Sequence, residues 1–69
     1  MKTDLIKTVS EAMRQLRIEK EVSQEQLSKK SGVDRSYISR LELGIANPSL
    51  KKIERLVKAL GGDVKVVIT

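Results

Sequence analysis

Apolar positions within residues 23–48, SQEQLSKKSGVDRSYISRLELGIANP, fall into two short runs of helical spacing separated by a tight turn. Ser23 with Gln26 three residues later is a capping-box pattern, Glu25 complements the positive helix start, and Val22 with Leu27 forms a hydrophobic staple across the cap. Gly32 closes this first run, because glycine readily takes the left-handed conformation that ends a helix. Asp34 is then placed to cap a second helix, and Val33 with Ile38 repeats the staple. On a 3.6-residue period Ile38 and Leu41 share the inner face, while Ser36, Ser39 and Arg40 project outward. An outer face of short polar side chains and arginine suits a DNA major groove better than the plain solvated side of a generic helical bundle.

Upstream, Thr8 and Glu11 have capping-box spacing, and Val9, Ala12, Met13 and Leu16 form the apolar stripe of a helix starting there and running toward Glu21. Leu5 and Ile6 precede it without an assigned element. Arg17 lies beside that stripe and Glu42 beside Ile38 and Leu41, so the two either pair with each other or reach solvent separately. Downstream, the small residues of 43–48 form a loop ending at Pro48, a good first-turn residue, with Asn47 or Ser49 as the cap. Leu50, Ile53, Leu56, Val57 and Leu60 make the stripe of a last helix, opposite Lys51, Lys52, Arg55 and Lys58. Gly61 and Gly62 stop it. Residues 63–69 then alternate with period two, placing Val64, Val66 and Ile68 on one side of a strand. A lone strand cannot satisfy its own backbone, so it predicts pairing with the same strand of a second copy.

Taken together, Gln24, Leu27, Gly32 with Val33, Ile38 with Ser39, Leu41 with Glu42, Gly44, and Asn47 with Pro48 resemble the helix-turn-helix of the lambda-repressor and Cro family. The resemblance covers about residues 9–60. It implies an all-α, compact four-helix domain that binds duplex DNA and regulates transcription, here as a dimeric repressor. It also implies that Arg17 pairs with Glu42, and that Gln24, Tyr37, Asn47, Ser49 and Lys51 hold phosphates. Base reading falls to Arg35, Ser36, Ser39 and Arg40 on the outer face. The family usually continues with a further helix where this chain has its strand pattern. In that respect the chain looks more like certain antitoxins of bacterial toxin-antitoxin modules, which would add a protein toxin as partner and autoregulation of an operon.

Composition narrows the choice of partner. The 69 residues allow one domain, divided as 1–62 for the helix-turn-helix and 63–69 for a dimerisation strand. Fourteen basic and nine acidic residues give 14 − 9 = +5, which favours a polyanion without choosing between nucleic acid and a membrane surface. The basic last helix has a companion core to bury its apolar stripe, which argues against membrane binding. Tyr37 is the one aromatic residue, too few for single-strand binders that stack bases on aromatic platforms. Duplex DNA remains, and a two-fold dimer calls for a palindromic operator. Without cysteine or histidine the chain offers no disulfide, no familiar metal-ligand set and no nucleophile-base pair, so it is read as a non-enzyme without cofactor or metal. The apolar runs are far shorter than the roughly 20 residues of a membrane span, and no leader pattern opens the sequence, which predicts a soluble cytoplasmic protein.

Overall fold

Four helices account for most of residues 2–61, which are the residues the computed structural model describes, with side chains from residue 5 onward. They are α1 (Lys2–Glu19), α2 (Gln24–Ser31), α3 (Arg35–Glu42) and α4 (Leu50–Ala59). The strand predicted for residues 63–69, with Val64, Val66 and Ile68, lies outside the described residues. Among the described residues no helix is long and apolar enough to cross a membrane.

The predicted start of the first helix at Thr8 is corrected: α1 begins at Lys2 and runs through Thr8 unbroken. No glycine or proline interrupts residues 2–8, and Ser10 Oγ donates to the Ile6 carbonyl oxygen at 2.7 Å, a bond that needs a helical turn there. Thr-x-x-Glu marks a helix start only where the chain before it leaves the helix. The buried face also shifts. Met13 and Ser10 are buried and Val9 and Leu16 pack against the core, but Ala12, about 100° around the axis from Met13, is exposed.

At the end of α1 the Val22 N–H reaches the Arg17 carbonyl and the Glu21 N–H reaches that of Ile18, the bonding pattern of a Schellman motif. Its left-handed position, usually glycine, is Glu21 at φ 56°. The next helix carries both bonds of the capping box: Gln26 N–H to Ser23 Oγ at 3.0 Å, and Ser23 N–H to Gln26 Oε1 at 2.9 Å. Gly32, at φ 73°, closes α2 with its N–H on the Ser28 carbonyl. Two serines then fix the turn into α3. The Ser28 hydroxyl donates to the Val33 carbonyl oxygen at 2.7 Å, and the Ser31 hydroxyl accepts from the Val33 N–H at 3.1 Å. Asp34 occupies the cap position of α3, but its carboxylate accepts the Ser36 hydroxyl and no backbone N–H, which corrects its predicted capping bond.

Met13, Leu27, Val33, Tyr37, Ile38, Leu41, Ala46, Leu56 and Leu60 form the core. Leu27, Ile38, Leu41 and Leu56 are each only 1% exposed, and burying each stabilises the fold by about 1.5–3 kcal/mol. These four residues clamp α2, α3 and α4 together. Leu50, predicted in the stripe of the last helix, is instead exposed, because it sits in the first turn beyond the reach of that core. Ser49 caps α4, its hydroxyl accepting the Lys52 N–H at 3.4 Å, which resolves the choice between Asn47 and Ser49.

Candidate nucleic-acid interface

Burial of Tyr37, Ile38 and Leu41 on one side of α3 dictates what its other side presents. Arg35, Ser36 and Arg40 are exposed and Ser39 is half-buried. Gln24, at the start of α2, lines an open cleft with Arg35, Ser36 and Ser39, so the turn brings the α2 terminus against the outer face of α3. Arg40 Nε donates to the Ser36 carbonyl at 3.2 Å, which lays the side chain along the helix and leaves its terminal nitrogens available.

One flank of α3 is braced by charge. Arg17 Nε donates to Glu42 Oε2 at 2.7 Å, Arg17 Nη2 to Glu42 Oε1 at 2.9 Å, and Arg17 Nη1 to the Val22 carbonyl at 2.9 Å. A carboxylate in the last turn of a helix faces the negative end of the macrodipole, so Glu42 gains from a cation held on it. The Glu42 hydrogen bond raises the Arg17 pKa above its ordinary value; burial opposes this, and the Glu42 charge adds to it. Gln24 Nε2 joins the same carboxylate at 3.1 Å. One glutamate thereby ties α1, the start of α2 and the end of α3 together.

The other flank is braced by Tyr37. Its ring is buried, its hydroxyl donates to the Asn47 carbonyl at 2.9 Å, and the same oxygen accepts the Ser49 N–H at 3.0 Å. That hydroxyl proton would have to leave Asn47 before it could reach a phosphate. Lys52 Nζ lies 4.3 Å from the ring centroid, a cation–π contact that holds α4 against α3. Asn47 and Lys51 are exposed and Ser49 is half-buried, gathered where the first-turn N–H groups of α4 lack helical partners. Sequence reasoning missed Lys52 and the two bonds of Tyr37. Only a lone aromatic at the edge of the inner face hinted at them. Among the described residues no group of acidic side chains is arranged to hold a metal ion.

A helix-turn-helix family model of the Cro/C1 type matches residues 13–66. The chain belongs to that family. It is 34% identical over 61 residues to the immunity repressor protein of Bacillus phage phi105, an overlap of 88% of this chain and 42% of the relative. It is 40% identical over 58 residues to a hypothetical transcription factor of Neisseria meningitidis serogroup B, covering 84% of this chain and 55% of that protein. With the control protein C.BamHI of Bacillus amyloliquefaciens it shares 44% identity over 54 residues, 77% of this chain and 67% of the relative. The chain thus spans about half the length of the first two. No solved structure matches it significantly. These relatives are named as a repressor, a transcription factor and a control protein.

Proposed function

We propose that the chain is a dimeric regulator that binds duplex DNA sequence-specifically, inserting α3 into the major groove and acting as a repressor. The observation that carries this reading is an outward α3 face of Arg35, Ser36, Ser39 and Arg40 on a helix braced along both flanks. Those four residues read bases. Gln24, Asn47, Ser49 and Lys51 hold phosphates, and Tyr37 serves the same contact by fixing the loop that presents Asn47 and Ser49. Relatives named as an immunity repressor and a transcription factor support the regulatory role.

Dimerisation is part of the same proposal. Residues 63–69 pair with their counterparts across a two-fold axis, setting two recognition helices about 34 Å apart, one turn of DNA, on a palindromic operator. Enrichment of bound sequences from a pool of randomised duplexes tests this directly. The expected product is a palindrome whose half-sites are centred one helical turn apart. A pool that yields no preferred sequence would show that the contacts are confined to the backbone.

A further inference from the structure

A recognition helix in a major groove about 12 Å wide has a phosphate strand along each wall. On the helical period of α3, Arg40 and Tyr37 face one wall, the side braced by Asn47, Ser49 and Lys52. Arg35 and Glu42 face the other, where Gln24 is so far the sole phosphate contact. Gln24 carries no charge, and the adjacent cation, Arg17, is unavailable, since all three of its guanidinium nitrogens are bonded to Glu42 or Val22. With Arg35 assigned to the bases, Gln24, Arg17 and Glu42 together bring no net charge to a wall that meets a polyanion.

Arg14 supplies the missing cation. It projects from α1 into a cleft of about 430 Å³ shared with Arg17, Gln24, Ser39 and Glu42, beside the C-terminal half of α3. Arg14 is exposed and makes no hydrogen bond or ion pair among the described residues. Glu11, one turn earlier, is not within ion-pair distance. Glu42 is not within ion-pair distance of Arg14 either: its side chain is only 5% exposed, and its oxygens take three donors from Arg17 and Gln24. Arg14, Arg17 and Glu42 together leave this cleft one positive charge, carried on an arginine with five unused donors in a planar fork that fits a phosphate.

We propose that Arg14 is a phosphate-binding residue, which with Gln24 grips the DNA strand along the α2 side of α3. Arg17 beside it is reserved for Glu42 and stays off the DNA. This rests on the duplex-DNA reading above and adds a contact that neither the spacing of the recognition helix nor its turn reveals.

The test uses the full chain, its selected duplex and a random-sequence duplex, with affinity measured between 50 and 200 mM salt. Arg14→Gln should lower the slope of log affinity against log salt by about 0.9 on both duplexes. The fourfold salt increase should therefore weaken the variant about 3.5-fold less than the wild type. Arg14→Lys should restore the slope, and thermal melting of both variants should match the wild type, since the side chain bears no structural bond. An unchanged slope for Arg14→Gln, with the wild type still binding, overturns the proposal and leaves the DNA reading intact. A loss confined to the selected duplex also overturns it, by making Arg14 a base reader. Failure of the wild type to bind either duplex overturns the DNA reading and this inference with it.

Discussion

Glu42→Ala should be among the most destabilising single changes outside the apolar core. It removes the acceptor for Arg17 Nε, Arg17 Nη2 and Gln24 Nε2 together, leaving a guanidinium that is 15% exposed with only the Val22 carbonyl. Removing one partner of a buried ion pair costs about 3–5 kcal/mol. The adjoining cleft admits some water to Arg17, which favours the low end, about 3 kcal/mol. At about 0.05–0.15 kcal/mol per residue, a 69-residue chain has about 3.5–10 kcal/mol of total stability, so the change removes a large part of it. With a urea m value of about 1 kcal/mol/M, the unfolding midpoint should fall by about 3 M. The assay is urea unfolding followed by helical circular dichroism at one fixed protein concentration, because the apparent stability of the proposed dimer would depend on concentration. Arg17→Met and Glu42→Leu, made singly and together, complete a double-mutant cycle, and the double variant should be more stable than Glu42→Leu alone, since no charge is then stranded. The raised Arg17 pKa keeps the guanidinium's contribution present throughout the range below its ordinary value, to be lost only as pH rises through the higher folded-state value. The arginine side of the coupling should therefore not weaken between pH 7 and pH 10. Additive single changes would refute the brace, showing that water screens the pair despite its geometry.

Arg35→Ala or Arg40→Ala should cost about 1–3 kcal/mol on the selected duplex and far less on random DNA, as titration of both would show; equal losses would reduce these arginines to phosphate contacts. Lys51→Ala should weaken both complexes alike and lower the salt slope by about one unit, and an unchanged slope would remove it from the phosphate contacts. Glu21→Gly should stabilise the fold by about 0.5–1 kcal/mol, because the left-handed backbone at φ 56° disfavours a side chain; a melting temperature that falls would mean the glutamate makes a compensating contact. Deleting residues 63–69 should give a monomer with much weaker binding to a palindrome, measured by sedimentation and titration, and a truncated protein that stays dimeric would move the interface elsewhere.

Much of the helix-turn-helix was legible in the sequence because its signals are local. The Ser23–Gln26 box and Gly32 each act within one or two turns of chain, and the structure contains both, while Val33 and Ile38 are both buried in the core. The start of α1 was misread for the same reason. A cap motif has meaning only relative to what precedes it, and nothing within three residues of Thr8 reveals that the helix already runs from Lys2.

Side-chain period and charge placement along the chain determined which residues of α3 face inward, and they marked Arg17 and Glu42 as charges needing an explanation. Tertiary structure alone decided how those charges are used. Arg17 and Glu42 are 25 positions apart and Tyr37 and Ser49 are 12 apart, so no local rule states that the first pair also holds Gln24 or that one phenol hydroxyl bridges Asn47 and Ser49. Asp34, capping by position but bonded to Ser36, and Leu50, on the stripe but in solvent, show the same limit. Helical periodicity specifies the direction in which a side chain leaves its own axis. Only packing of the four helices specifies what it meets there, and that is why Arg14, an ordinary surface arginine in the sequence, stands beside α3 in the fold.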